Sequence, residues 1–199
     1  MRLLIPNVRS GEINDPEPCA LNTNQSPSLP LPLKDRYVMI ANGISFILSN
    51  LPSILTLTAL IIALALRGSD HTGERRFGWL LLLAVGIDGL WAGFFHIFFP
   101  ELASAQIGWS PSPFETEIGI ADFAMGVVAV IAFWNSLSFK CAIALYAIIF
   151  YVGAAIGHVH DAIVSANFAP DNFGPLLIAT LLRTGMLVYF IIKTGVKEQ

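Results

Sequence analysis

Long apolar runs separated by short polar segments dominate this chain. Runs of about 20 residues with almost no charge are typical of transmembrane helices. Five such runs follow one another: Tyr37–Leu66, Phe77–Phe99, Pro113–Trp134, Phe139–Ile163 and Pro175–Lys193. The pattern therefore predicts an all-α fold, a polytopic membrane helix bundle of five transmembrane helices over residues 37–193.

The first run is too long for one straight span. Its thirty residues would extend about 45 Å, whereas the hydrocarbon layer of a bilayer is about 30 Å thick. Pro52 removes a backbone donor and disfavours helical geometry at Leu51, so we expect a kink there.

The segment between helices 2 and 3, Pro100–Pro111, lacks Lys and Arg and is moderately apolar. It is predicted to be interfacial, with Trp109 at headgroup level. Ser112-Pro113-Phe114-Glu115 has the form of a helix start, with Ser112 as N-cap and Glu115 closing a capping box.

Composition agrees with a membrane protein, because 55% of the residues are hydrophobic and 13% are charged, against about 25% charged in soluble domains. The expected partner is the lipid bilayer, with a homo-oligomer or a membrane complex left open. A net charge of -3 without a cluster of basic residues argues against nucleic acid. Residues 1–36 hold six of the twelve prolines and are predicted to be a disordered or mobile tail. Residues 194–199 form a second, short tail.

The basic residues favour one membrane face. That face has Arg67, Arg75, Arg76, Lys140, Lys193 and Lys197, against Lys34 and Arg36 near the other. By the positive-inside rule we expect a cell (inner) membrane protein with the N-terminus outside and the C-terminus in the cytoplasm.

Ionisable residues inside the apolar runs are functional candidates, because burying a charge in a bilayer is costly unless it is paired or hydrated. Asp88 and Arg183 both fall near the midplane, so an ion pair between helices 2 and 5 is expected. The more common reading of such a pair is that it only fixes helix packing.

A second group of ionisable residues falls near the outer face. Counting along antiparallel helices brings its members to a similar depth: His96, Glu117, Asp122, His158 and Asp161. His160 points to another side of its helix. A weak divalent-metal candidate is the set His96, Glu117 and His158; a proton or hydrogen-bond network and solvated headgroup-level residues are the alternatives. Gly153 and Gly157 match the small-xxx-small pattern of close helix packing, beside His158.

Three motifs carry a resemblance. They are Ile107-Gly108-Trp109 with Ser112-Pro113-Phe114 and Glu117-Ile118-Gly119, Gly153-Ala154 with Gly157-His158, and Asn167-Phe168-Ala169-Pro170 with Asn172 and Gly174. Together they resemble a family of small prokaryotic multi-pass membrane proteins of unknown function, over about residues 80–190. That family has Gln in place of Glu115 and Gly in place of Asp171. The resemblance implies a fold and a membrane location, and it implies no activity.

A weaker likeness joins Phe94–Glu101 to the five-helix sterol-isomerase-like membrane family, in which a His and an acid face a lipid pocket. Three functions stay open. The first is a membrane module that binds or passes a small solute, cation or proton. The second is an enzyme using acid/base chemistry on a lipid-soluble substrate, and the third is a structural or assembly subunit. A pocket of about 300 Å³ or more bordered by His96, Glu117, Asp122 and His158 would favour the first two over the third.

Overall fold

A computed structural model describes residues 33–66 and 72–195 of the chain. The predicted mobile tail falls almost wholly outside these residues, as do Arg67, Lys197 and most of the C-terminal tail. The chain divides into two compact units, residues 1–39 and 40–199. The described part of the first unit, residues 33–39, is helical.

The regular elements of the described ranges are helices, as the apolar pattern predicts. They are α1 (Leu33–Ser49), α2 (Leu51–Ala65), α3 (Thr72–Leu81), a π-helical turn (Leu82–Ile87), α4 (Asp88–Phe98), α5 (Pro100–Ile107), α6 (Phe114–Ala132), α7 (Leu137–Ser165) and α8 (Pro175–Gly195). The all-α prediction is confirmed for the part of the chain described.

Three of these helical stretches are long and apolar enough to cross a membrane: Gly73–Phe98, Leu137–Ser165 and Pro175–Thr194. The prediction of five spans is not confirmed. The first predicted span is interrupted at Asn50, with Pro52 in the first turn of α2, and the 15 residues of α2 reach only about 23 Å. The third predicted span corresponds to α6, which carries Glu115, Glu117 and Asp122.

Helices α3 and α4 are continuous through the π-helical turn, which the sequence pattern did not predict. Inside this turn the backbone N–H of Asp88 donates to the carbonyl of Leu83, five residues back. An α-helix would direct the same N–H to Ala84. The carbonyl oxygen of Ala84 is therefore not used by the N–H of Asp88 and accepts a hydrogen bond from Arg183.

Glycines bring α4 and α6 into close contact. A Cβ added at Gly93 would lie 2.7 Å from the carbonyl oxygen of Gly119, and one added at Gly126 would lie 2.6 Å from the backbone nitrogen of Leu90. These are the small residues that allow two helices to approach closely. Gly153 and Gly157 make no such contact within the described part of the chain, where nothing lies within 4 Å of a Cβ built at either. The two positions are exposed on α7.

The apolar core lies where α2, α3, α6, α7 and α8 meet. Phe77 of α3 and Phe190 of α8 are buried there and stack with ring centroids 5.8 Å apart. This core separates two ends of the bundle. We call the end with residues 99–113 and 166–174 the polar end, and the end where α3 and α7 begin the basic end.

Candidate functional site

The polar residues of the interior begin with an ion pair. Nη1 of Arg183 on α8 donates to Oδ2 of Asp88 on α4. The same nitrogen donates over 3.1 Å to the carbonyl of Ala84, which the π-helical turn leaves available. Arg183 is 1% exposed, and its guanidinium lies 5.1 Å from the ring centroid of Tyr151 on α7. The pair thus joins three helices across the middle of the bundle.

The ion pair leaves one polar atom without a partner. Oδ1 of Asp88 is buried and accepts no hydrogen bond from the described residues, whereas the hydroxyl of Tyr151 and the guanidinium of Arg183 interact with each other. An unpaired buried polar group is costly, and in native structures such groups are uncommon enough to need a reason. This oxygen marks a place that a ligand or water could complete.

Asp122 on α6 lies near the same pair, and the charges of Asp88 and Arg183 both act on it. It is 8% exposed. Its side chain makes no hydrogen bond or ion pair with any residue the structure describes. The close contact of α4 with α6 accounts for its position, because the carbonyl of Asp122 lies 2.8 Å from a Cβ built at Gly89.

His96, near the end of α4, pairs with Glu115 at the start of α6. Nδ1 of His96 lies 3.2 Å from Oε1 of Glu115, and the glutamate is 6% exposed. The predicted capping box is therefore wrong. The N-cap of α6 is Pro113, and Ser112 Oγ accepts from the backbone N–H of Phe114 over 3.3 Å. The side chain of Glu115 pairs with the imidazole of His96 on α4 instead of with the start of its own helix.

A half-open cavity of about 340 Å³ lies beside the ion pair. Apolar side chains form most of its wall, among them Pro52, Trp91, Phe95, Ile107 and Leu176. The ionisable residues that line it are Asp88, His96 and Asp171. Its volume exceeds the 300 Å³ expected of a small-molecule site. Glu117, Asp122 and His158 do not line it.

A separate network holds the polar end together. The indole of Trp109 stacks on His158 with centroids 5.7 Å apart, and its Nε1 donates to Asp161 Oδ2 over 2.8 Å. Asn167 also donates to Asp161, over 2.7 Å. Nδ1 of His158 lies 2.6 Å from Oδ1 of Asn172. The three motifs of the family resemblance therefore meet in one place.

Two glycines allow this network to form. Gly108 has a φ of +80°, and a Cβ there would lie 2.6 Å from Oδ1 of Asn167. Asn167 donates in turn to the carbonyl of Ile107 over 2.9 Å. Gly174 lets the backbone return against Pro170, since a Cβ added at Gly174 would lie 2.3 Å from the carbonyl oxygen of Pro170. A side chain at either glycine would separate the loops.

The predicted outer cluster is divided between three places. His96 borders the cavity, His158 and Asp161 belong to the Trp109 network, and Asp122 lies near the pair of Asp88 and Arg183. Glu117 is exposed and contacts no other polar group of the described chain. The structure does not bring the candidate metal residues His96, Glu117 and His158 together. Within residues 33–66 and 72–195, no group of three or more His, Cys, Asp or Glu side chains could hold a metal ion.

Asp171 connects the network with the cavity. It lies in the loop before α8, where its backbone N–H donates to the carbonyl of Gln106 over 3.4 Å. Burial raises the pKa of Asp171 above its ordinary value of 3.8, and the charge of His158 acts in the opposite direction. Its role in the cavity was not predicted, because a loop aspartate before a helix gives no signal of depth. Trp109, Asn167 and Asn172 were noted only as parts of motifs.

Comparison with known proteins gives a match over most of the chain. The model of a family described as a family of unknown function, DUF6790, matches residues 48–198. No curated protein and no solved structure matches. The matched range includes the cavity, the ion pair and the Trp109 network.

Proposed function

The chain belongs to the family of unknown function DUF6790, which brings no activity with it, and we propose that it is a membrane protein that binds a small amphiphilic cation. The binding site is the cavity of about 340 Å³ beside Asp88. The observation that carries the proposal is the carboxylate of Asp88, which lines an otherwise mostly apolar cavity and has one buried oxygen without a partner.

The wall of the cavity selects for an apolar body. Trp91 and Phe95 lie on one side and contact each other with ring centroids 4.6 Å apart, and Leu176 and Pro52 add aliphatic surface. Each buried methylene contributes about 0.8 kcal/mol of transfer free energy. A fully charged, strongly hydrated solute would gain no transfer free energy from such walls, whereas a molecule with a short hydrocarbon part would gain it.

The ionisable residues select for a positive or hydrogen-bond-donating head. Two carboxylates, Asp88 and Asp171, face the cavity together with His96, whereas Arg183 is not part of its lining. Arg183 offsets part of the charge of Asp88, so the attraction for a cation comes from Asp171, from the unpaired oxygen of Asp88 and from the aromatic rings of Trp91 and Phe95. An anion would be repelled by the carboxylates and poorly held by the rings.

The proposal includes a location. The three apolar helices suggest association with a membrane, and we place the polar end outside and the basic end in the cytoplasm. That orientation is supported by the cations Arg75, Arg76, Lys140 and Lys193 at the basic end. The half-open cavity would then take its ligand from the outer half of the bilayer.

A head-group series tests the proposal. Purified chain in detergent is titrated with decylamine, decanol and decanoate, and the temperature of unfolding is followed. The three probes share the same apolar chain and differ in the charge of the head group. A difference between their shifts in unfolding temperature therefore reports on that charge. Decylamine is expected to stabilise the protein most, because a ligand that binds the folded chain alone raises its stability. Equal shifts for the three probes would reject the cationic site.

An acid/base enzyme is the second candidate, and one observation favours it. His96 lines the cavity and its Nδ1 is held by the buried carboxylate of Glu115 at 3.2 Å. A carboxylate that orients an imidazole towards a bound molecule is the arrangement of a general base. Under this reading Glu115→Gln abolishes turnover of a bound amine and leaves its binding unchanged. If the protein only binds the amine, the wild type forms no product, and Glu115→Gln therefore changes no rate of product formation.

The structural-subunit function has less support. It expects a closed interior in which each charge has its partner. The cavity and the unpartnered oxygen of Asp88 are both unexpected under that function.

A further inference from the structure

A second cavity lies at the basic end, away from the first. It measures about 410 Å³ and is formed where α3 begins, α6 ends and α7 begins. Its wall combines charged and aromatic side chains. They are Glu74, Arg75, Trp79, Phe133, Trp134 and Lys140. Neither the ion pair nor the Trp109 network contributes to it.

One cation of this cavity is buried and partly used. Lys140 is 5% exposed, and its ammonium donates to Oε1 of Glu74 over 2.9 Å and to the carbonyl of Asn135. An ammonium group has three N–H donors. The two acceptors leave one donor of Lys140 for a further acceptor in the cavity.

The other cation stands at the rim. Arg75 is exposed and makes no hydrogen bond or ion pair with the residues that the structure describes. Two cations, Arg75 and Lys140, face one carboxylate, Glu74, so the cavity has a net positive charge. A guanidinium presents paired N–H groups that fit the oxygens of a phosphate.

The aromatic residues of the cavity are of the kind that lies at the headgroup level of a membrane. Trp134 is 74% exposed, and its ring meets that of Phe133 with centroids 5.0 Å apart. Trp79 meets Phe133 from the other side at 5.1 Å. Tryptophans with one wet and one apolar side collect at the headgroup level of membranes. The charged head and the apolar chain of a lipid would therefore both find a matching surface in this cavity.

We propose that this cavity binds an anionic phosphate group, with Arg75 and the third donor of Lys140 as its contacts. The group is either the phosphodiester of an anionic lipid or free inorganic phosphate. The basic residues around the cavity favour the lipid, because anionic lipids collect beside cationic segments of a membrane protein. This site is independent of the cavity beside Asp88.

The test uses the full chain in a neutral detergent, with dioctanoyl phosphatidylglycerol, dioctanoylglycerol and inorganic phosphate as separate additions. The temperature of unfolding is measured against concentration for each. Phosphatidylglycerol is expected to raise it, and dioctanoylglycerol, which lacks the phosphate, is not. An equal rise with inorganic phosphate supports the same site with free phosphate as the ligand. The proposal is overturned if dioctanoylglycerol acts as strongly as phosphatidylglycerol, or if neither phosphate compound acts.

Matched variants separate the cavity from general surface charge. Arg75→Gln removes an exposed cation that lines the cavity, and Lys193→Gln removes one at the same end that does not. Loss of one charged hydrogen-bond donor should weaken the apparent affinity about tenfold, so we expect this in Arg75→Gln alone. Equal affinities in the two variants would overturn the proposal. Both positions are exposed, so neither substitution threatens the fold.

Discussion

Asp88 and Arg183 form a buried ion pair although 95 residues separate them along the chain. The pair links α4 to α8, and the π-helical turn before Asp88 gives the arginine a second acceptor at Ala84. The cavity lies directly beside this pair, because Asp88 is part of both.

Removing one partner of this pair should be far more harmful than removing both. Arg183→Met leaves a buried carboxylate without its cation and should cost about 3–5 kcal/mol of unfolding free energy. The double variant Asp88→Leu with Arg183→Met should recover most of that loss, since no unpaired charge remains. Unfolding in mixed micelles measures both. A double variant as unstable as Arg183→Met would show that the pair is not the cause.

The glycine contact between α4 and α6 predicts a position-specific effect. Gly126→Ala places a methyl group 2.6 Å from the backbone nitrogen of Leu90, which no side-chain rotation can relieve. Overpacking of this kind costs about 1–3 kcal/mol. Gly153→Ala, on the open face of α7, is the control and should not destabilise the protein. Equal losses of thermal stability in the two variants would contradict this packing.

The Trp109 network predicts that His158 and His160 differ. His158→Ala removes the stacking partner of Trp109 and the hydrogen bond to Asn172, so amide exchange in residues 166–174 should rise about tenfold. His160 is exposed on the same helix and contacts no polar group of the described residues. His160→Ala should leave the exchange rates unchanged. Similar rates in the wild type and His158→Ala would mean that the network does not hold the loop.

Asp171 predicts a pH dependence. Because burial raises its pKa in the folded chain, the folded state holds this proton more tightly than the unfolded state. Its contribution to stability is therefore fully present below the ordinary pKa and is lost as the pH rises through the folded value. Asp171→Asn should remove that part of the loss as the pH rises above the ordinary pKa of 3.8. Glu101→Gln, which removes an exposed acid from α5, is the control and should keep it.

Part of this architecture follows from the sequence. Depth counting along antiparallel helices suggested that Asp88 and Arg183 meet, because charges of opposite sign at one depth have few other partners in an apolar interior. The motifs indicated an uncharacterised family, and the family model that matches residues 48–198 is one of unknown function; the motif pattern itself stays a prediction. The five spans, the topology and the function of the polar residues stay predictions.

The remaining features depend on contacts that sequence spacing does not contain. The spacing of Ser112 and Glu115 predicts a helix cap. The partner of Glu115 is instead His96 on α4. Depth counting grouped Asp122 with His158, but the close approach of α4 and α6 places Asp122 near Asp88 and Arg183 instead. The π-helical turn has no sequence signal that we identified.

The most direct test of the binding function is to fill the cavity. Ala92 lines it, whereas Ala142 is exposed on α7. Ala92→Phe and Ala142→Phe add the same side chain, one inside the cavity and one outside. Equilibrium binding of radiolabelled decylamine to the purified chain in nanodiscs is measured for both, with the wild type as reference and empty nanodiscs subtracted. We predict saturable binding in the wild type and Ala142→Phe, and its loss in Ala92→Phe. Equal binding in all three proteins, or none above empty nanodiscs in the wild type, would contradict the binding function.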